Sequence, residues 1–149
     1  MTDPTGDVGS AHEKWGGRGM RILVVDDHTL VRQSLVAMLR GEPDIEIVGE
    51  AWDGKLAVEL TRELLPDLVL MDISMPVMDG IEATRRICAE LPQVHVIGLS
   101  MFTNGEQARP MRDAGAVAYV SKTDSADLLL ATIRRCRPAL APDLPLHAD

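Results

Sequence analysis

The chain has 149 residues and a formal net charge of -8, which is enough length for one domain with a full core and too little for two ordinary ones. Binding to a phosphate backbone needs a concentrated basic surface, so we expect no nucleic-acid contact by this chain. The sequence contains no apolar run of about 18 residues and no signal-peptide pattern, and its cysteines lack metal or redox spacing. We therefore expect a cytoplasmic protein that makes no contact with a membrane.

The first unit of the chain is a strand, an acid pair and a helix. Residues 1–20 are rich in Gly, Asp, Ser and Thr without an apolar period, which predicts a flexible lead or linker. Residues 22–25 are all apolar, as in a buried strand, and Asp26 and Asp27 follow directly. Thr29 is the expected N-cap of the first helix.

Two further units follow. Residues 45–48 partly alternate between apolar and charged side chains, which predicts an edge strand, and a helix then runs from about Asp53 to Pro66. Residues 68–71 are fully apolar, which is typical of a strand buried on both faces, and they end at Asp72. The next helix is expected over 80–91.

The last two units carry a hydroxyl and an amine at the ends of their strands. A strand over 94–99 ends at Ser100, and a strand over 116–120 ends at Ser121 and Lys122. Pro110 lies between them and predicts a fourth helix that is short, late-starting or kinked. A last helix is capped by Asp124 or Ser125, and residues 138–149 are expected to be a disordered tail.

Strands that alternate with helices predict an open parallel sheet with helices on both faces. Ligands of such sheets bind beyond the carboxyl ends of the strands. Polar residues that directly follow the apolar part of a strand therefore lie along one edge of the sheet. These residues are Asp26, Asp27, Asp72, Ser100 and Lys122.

Three carboxylates at one edge repel one another, and a bound cation would keep them ionised near neutral pH. Oxygen ligands without histidine or cysteine favour Mg²⁺. The histidines are scattered without zinc-like spacing. His28 follows the acid pair, and we expect it to be an ordinary residue of the first helical turn.

A metal, a lysine and a hydroxyl around Asp72 form a site suited to a phosphoryl group, with the Asp72 carboxylate as the nucleophile. Taken singly, Asp72 and Ser100 are also interpretable as loop caps, and Lys122 as a solvated surface lysine. Their common position at one edge favours the phosphoryl site.

These residues lie in motifs that resemble the receiver domain of two-component response regulators. The motifs VVDDH, LVLMDISMPVMDG, VIGLS and AYVSK occur in the family's order, and the resemblance covers residues 21–137. VRQSLVAMLRGEPDIEIVGEAWDG and GIEATRRI are similar to the NarL/FixJ-type branch, whose full-length members carry a DNA-binding domain. Only a Pro-rich stretch follows residue 137, so we expect no output domain of that kind in this chain.

The resemblance implies a flavodoxin-like (CheY-like) fold, a doubly wound five-stranded parallel sheet in the order 2-1-3-4-5 with five helices. It implies that Asp72 is the phosphoacceptor of a histidine kinase or phosphotransfer protein, and that Ser100 and Lys122 contact the phosphoryl oxygens. Ser100 and Tyr119 would form the switch, and a homodimer would use the fourth helix, fifth strand and fifth helix. The implied Mg²⁺ ligands are Asp27, Asp72, the backbone carbonyl of Ser74 and, through water, Asp26.

The chain departs from the family pattern in three places. Thr123 stands where many members have proline, Ser100 replaces a common threonine but keeps the hydroxyl, and Pro110 falls in a helix that the family uses for signalling. Phe102 would shield an acyl phosphate from water if its ring overhung the site, or else it packs on the fourth helix.

Other functions are weaker hypotheses. The lead fits the terminal receiver of a hybrid histidine kinase. A phosphohydrolase with an aspartyl-phosphate intermediate would need a second aspartate where Ser74 stands. A flavin or nucleotide site would need glycines where Asp26 and Asp27 stand. We therefore expect a phosphoacceptor domain that assists its own phosphorylation and dephosphorylation, not an enzyme.

Overall fold

The computed structural model of the protein describes residues 19–75, 77–101 and 106–136. Strands and helices alternate along these ranges. The strands are β1 Met20–Val25, β2 Ile45–Ala51, β3 Leu68–Asp72, β4 His95–Ser100 and β5 Ala118–Ser121. The helices are α1 Thr29–Arg40, α2 Gly54–Leu64, α3 Gly80–Glu90, α4 Ala108–Ala114 and α5 Ala126–Arg135.

The strands form a five-stranded parallel sheet in the order β2-β1-β3-β4-β5 within the described residues. Every residue of β3, the central strand, is buried, as its apolar run predicts. β2 lies at an edge and buries only its first and last residues fully, which confirms the edge position expected from its mixed sequence. The predicted strand order and fold class are confirmed.

Helices cover both faces of the sheet because neighbouring residues of a buried strand point to opposite sides. On one face, β1 and β3 residues such as Ile22 and Leu70 pack with buried side chains of α1 and α5. On the other face, Leu23 and Met71 pack with side chains of α2, α3 and α4. The sheet is therefore buried between two apolar cores.

The fourth helix begins late, as Pro110 predicts. α4 starts at Ala108 and has seven residues, which places Pro110 third. A backbone N–H in the first helical turn has no partner inside the helix, so proline costs no hydrogen bond there. None of the helices in the described ranges has the length and apolar character needed to cross a membrane.

Of the predicted caps, the one at Ser125 is confirmed and the one at Thr29 is wrong. Asp53, Asp79 and Ser125 each accept a hydrogen bond from a backbone N–H in the first turn of the helix that follows. Thr29 is not the N-cap of α1, because His28 takes that position and its side chain makes no capping hydrogen bond. The reason is a local turn before the helix, in which the Asp26 side chain accepts a hydrogen bond from the His28 N–H at 2.9 Å.

Candidate functional site

The predicted site residues meet at the carboxyl edge of the sheet. Asp26 directly follows β1, Asp72 ends β3, Ser100 ends β4 and Lys122 directly follows β5. The side chains of Asp26, Asp72 and Lys122 are 0%, 4% and 6% exposed. Ionisable groups buried to this extent need partners, and the parallel sheet supplies them by bringing these strand ends together.

Lys122 connects the two buried acids. Its Nζ lies 2.7 Å from Asp26 Oδ2 and 3.0 Å from Asp72 Oδ1. Its backbone N–H donates to the Ser100 carbonyl at 2.6 Å, so β4 holds the chain that carries the ammonium group. Lys122 is therefore an ion-pair partner within the site and not a solvated surface lysine.

The acid cluster fits a divalent cation. Asp26, Asp27, His28 and Asp72 each offer one ligand atom, and these atoms lie within 4.8 Å of one another. Asp72 Oδ2 is buried and has no hydrogen-bond donor among the described residues. A buried carboxylate oxygen that faces other acids is costly unless a positive charge compensates for it. An oxygen-rich donor set of this kind suits a hard ion such as Mg²⁺.

Asp26 is less free to bind an ion directly than the other acids. Its Oδ1 accepts the His28 N–H at 2.9 Å, and its Oδ2 meets the Lys122 ammonium at 2.7 Å. The Asp27 side chain has no such constraint and is 27% exposed. The geometry therefore separates Asp26, which lies against protein donors, from the partly exposed Asp27.

The environment of Asp72 opposes its charge. Burial is the largest cause of a raised pKa at Asp72, the neighbouring Asp26 and Asp27 add to it, and Lys122 opposes it, so that the net change is from 3.8 to about 6. Without a second cation the carboxylate is held in an unfavourable ionised state at neutral pH. A bound divalent ion would reverse this balance and keep the Asp72 carboxylate ionised.

A cleft of about 230 Å³ opens above Asp72. Ser74 lies in the loop after β3 and lines this cleft, as do Ser100 and Lys122. The cleft is large enough for a phosphoryl group and a few waters. Gln107, which precedes α4, also lines it and was not predicted, because its position depends on how α4 docks and not on a local motif.

Tyr119 lies on β5 beside the site and not in it. It packs against the core on the α4 side, opposite Gly98 of β4, where a side chain would collide with Met111 of α4. Its hydroxyl is buried and has no hydrogen-bond partner in the described part of the chain. Phe102 lies outside the described residues.

His28 is closer to the acids than the sequence led us to expect. Its Nδ1 lies 3.2 Å from Asp27 Oδ1 and 3.4 Å from Asp26 Oδ1. The sequence signal was only its position directly after the acid pair. An exposed first-turn side chain has many rotamers, and the sequence does not say which one it takes.

The sequence pattern of the response regulator receiver domain matches residues 22–134. The chain belongs to this family. Receiver domains are components of two-component signalling and are not enzymes of the ordinary kind, and they generally bind Mg²⁺ at an acidic pocket such as the one formed here.

The receiver domain is similar to known response regulators in sequence and structure. It is 46% identical to the transcriptional regulatory protein LiaR of Bacillus subtilis over 115 residues, and this alignment covers 77% of this chain and 54% of LiaR. The signal receiver domain of the putative response regulator NarL from Mycobacterium tuberculosis has a TM-score of 0.76 at 28% identity, covering 80% of this chain and 96% of that one. A chain of the CheX-CheY-BeF3-Mg complex from Borrelia burgdorferi has a TM-score of 0.74 at 25% identity, covering 79% and 89%. The chain thus spans about half the length of the curated relatives it matches.

Proposed function

We propose that Asp72 is the phosphoacceptor of this receiver domain and that a histidine kinase or phosphotransfer protein supplies the phosphoryl group. The observation that carries the proposal is the different surroundings of the two oxygens of the Asp72 carboxylate. One oxygen lies 3.0 Å from the Lys122 ammonium, and the other is buried without a donor among the described residues. It is a preformed nucleophile whose second oxygen faces a cation site.

The cation site is proposed to be filled by Mg²⁺, which would neutralise the charge that develops on the phosphoryl oxygens. Asp27, Asp72 and the Ser74 carbonyl would hold it directly. Asp26 would act through water, which fits the hydrogen bond from the His28 N–H to its Oδ1 and the Lys122 ammonium 2.7 Å from its Oδ2. The Borrelia burgdorferi complex contains BeF3 and Mg²⁺, which supports a bound metal ion in a protein of this fold.

In the transfer, a carboxylate oxygen of Asp72 forms the new bond to phosphorus as the phosphorus–nitrogen bond of the donor phosphohistidine breaks. The Lys122 ammonium lies beside the attacking carboxylate and would donate to a phosphoryl oxygen. The Ser100 hydroxyl, at the end of the neighbouring strand, would donate to another. These groups would assist both phosphorylation and the later loss of the phosphoryl group to water.

The switch is proposed to run from Ser100 to Tyr119. Ser100 and Tyr119 lie on adjacent strands, two residues apart in register, since Gly98 pairs with Tyr119. When Ser100 moves toward a phosphoryl oxygen, it would vacate space on the β5 side. The Tyr119 hydroxyl is buried without a partner in the described residues, so a movement that gives it a hydrogen bond would be favourable. The added charge would thus favour one of two arrangements.

Exposed apolar residues that follow the strands, here called the rim of the site, support a docking surface for the kinase. Large apolar side chains are exposed after successive strands: Leu30 is 79% exposed, Trp52 55%, Val77 78% and Met101 54%. Exposed apolar side chains at the sheet edge that carries a charged cleft are typical of a protein contact surface. We propose that a helical phosphodonor contacts this rim, and that a homodimer forms separately through α4, β5 and α5.

The remaining proposals concern domain bounds, location and partners. We propose that the receiver domain occupies the predicted residues 21–137 together with Met20, which begins β1, and that the chain acts in the cytoplasm. The net charge of -8 supports the proposal that it does not contact nucleic acid. The relatives named above are response regulators, which does not favour a hybrid histidine kinase. A phosphohydrolase is not favoured either, because Ser74 cannot serve as an acid or base as aspartate does.

The test uses acetyl phosphate as the phosphoryl donor and intact mass as the readout. The full chain with Mg²⁺ should gain one phosphoryl group, and chelation with EDTA should prevent it. Asp72→Asn should gain none, whereas Asp79→Asn, the same change at an exposed helix cap, should behave as the wild type. An adduct that persists in Asp72→Asn would refute the assignment.

A further inference from the structure

His28 is the one member of the acid cluster that the proposed phosphoryl transfer does not use. It takes the N-cap position of α1, yet its side chain does not cap the helix. The imidazole turns instead toward the acids, with Nδ1 3.2 Å from Asp27 Oδ1 and 3.4 Å from Asp26 Oδ1. A side chain that is 64% exposed has room to turn elsewhere, so this orientation requires an explanation.

We propose that His28 Nδ1 is an additional ligand of the cation in this site and that it makes the site prefer transition-metal ions such as Co²⁺ and Ni²⁺ over Mg²⁺. The inference rests on the proposed function only in that the same acids hold the ion. It goes beyond that function because it assigns a nitrogen ligand to a site otherwise built from oxygen.

The distance from the imidazole to Asp27 is that of neighbouring ligands on one ion. Two atoms bound about 2.1 Å from a common metal at a right angle lie about 3 Å apart. The separation of 3.2 Å between His28 Nδ1 and Asp27 Oδ1, a proposed direct ligand, is close to that value. The buried Asp72 Oδ2, which has no donor in the described part of the chain, independently points to a cation at the same place.

The backbone around His28 is held firmly enough to present a ligand. The His28 N–H donates to Asp26 Oδ1 at 2.9 Å, and its carbonyl accepts the Arg32 N–H at 2.9 Å. Arg32 also donates from Nη1 to the Asp26 carbonyl at 2.8 Å and from Nε to Glu50 at 3.0 Å. These contacts tie the loop after β1 to α1 and β2, so only the side-chain torsions of His28 must be fixed when an ion binds.

The chemistry sets the direction of the preference. Mg²⁺ prefers all-oxygen coordination, whereas imidazole nitrogen suits Co²⁺, Ni²⁺ and Zn²⁺. The carboxylates of Asp27 and Asp72 with one imidazole form a mixed oxygen and nitrogen set, which binds divalent ions more tightly along the series from Mn²⁺ to Ni²⁺. The same site would therefore accept Mg²⁺ through the acids alone and bind Co²⁺ or Ni²⁺ with His28 added.

The test is calorimetric titration of the full chain with Mg²⁺, Co²⁺ and Ni²⁺. His28→Gln keeps a polar side chain of similar length but removes the imidazole, and it should weaken Co²⁺ and Ni²⁺ binding by about tenfold or more, since even groups outside the coordination shell are worth that much. Mg²⁺ affinity should not change. His95→Gln, at the opposite end of β4, removes an imidazole far from the acids and should leave all three affinities unchanged.

Two results would overturn the proposal. Equal affinities of wild type and His28→Gln for Co²⁺ and Ni²⁺ would show that the imidazole is not a ligand. Tighter binding of every ion by His28→Gln would show that His28 acts only as a positive charge among the acids. Neither result touches the phosphoacceptor assignment, which is tested separately with Mg²⁺ and Asp72→Asn. The Co²⁺ absorption spectrum provides a second readout, because loss of a nitrogen ligand changes it.

Discussion

Replacing Asp72 with asparagine should stabilise the metal-free protein at neutral pH. Burial, reinforced by Asp26 and Asp27 and opposed by Lys122, raises the pKa of Asp72 from 3.8 to about 6. Between these two values the folded protein binds more protons than the unfolded chain, so its stability falls as pH rises. Above the folded pKa the ionised carboxylate therefore costs about 3 kcal/mol relative to its neutral form. Asparagine has nearly the same shape and no charge, so Asp72→Asn should recover most of that cost.

The measurement is urea denaturation in EDTA at pH 8 and at pH 4. At pH 8 the variant should be more stable than the wild type by up to about 3 kcal/mol, and at pH 4 the difference should nearly vanish because Asp72 is then protonated in the folded protein. Asp79→Asn, at an exposed cap that asparagine also satisfies, should show neither effect. Adding Mg²⁺ should make the wild type more stable than the variant, because only the wild type retains the full set of acids that binds the ion. A variant no more stable than the wild type in EDTA at pH 8 would refute the account of Asp72.

Three further predictions follow from the packing. Lys122→Met leaves buried acids without their ammonium partner, so it should lower the unfolding free energy in EDTA by about 3 kcal/mol and regain part of it in Mg²⁺; an unchanged urea midpoint would contradict the ion pair. Gly80→Ala would drive a Cβ into the backbone at the end of β3 and should cost about 3 kcal/mol or more, whereas Gly41→Ala, which has space, should cost little in the same urea assay. Pro110→Ala should change stability by less than about 1 kcal/mol, because its position in the first turn of α4 needs no N–H; a larger loss would show that the ring packs.

Much of the fold was predictable because apolar runs identify buried strands. The run before Asp72 gave the central strand, and the mixed run from Ile45 gave an edge strand. Strand order came from the family motifs and not from periodicity. Strand ends were less predictable, because they depend on pairing. β2 extends to Ala51 since Val25 of β1 pairs with it, and β5 begins only at Ala118 because Gly115 ends α4 in a left-handed conformation and the next residues form the connection.

The sequence predicted those site residues whose positions are fixed by the ends of strands. It did not predict those whose positions depend on a side-chain rotamer or on how a loop or helix docks. Asp26, Asp72 and Lys122 lie together because a parallel sheet brings their strand ends to one edge. The orientation of His28 and the approach of Gln107 to the cleft depend on how loops and α4 dock, which no local pattern reports. The N-cap predicted at Thr29 was wrong because the prediction did not include the local turn in which the Asp26 side chain accepts the His28 N–H.

The central claim is that phosphorylation occurs on the carboxylate of Asp72, and chemical trapping tests it most directly. Borohydride reduces an acyl phosphate to an alcohol, so the chain treated with acetyl phosphate and Mg²⁺, then reduced and digested, should contain homoserine at position 72. The same peptide from a sample treated in EDTA should keep aspartate. Homoserine at position 26 or 27 instead, or at no position in a chain that had gained a phosphoryl group, would contradict the account.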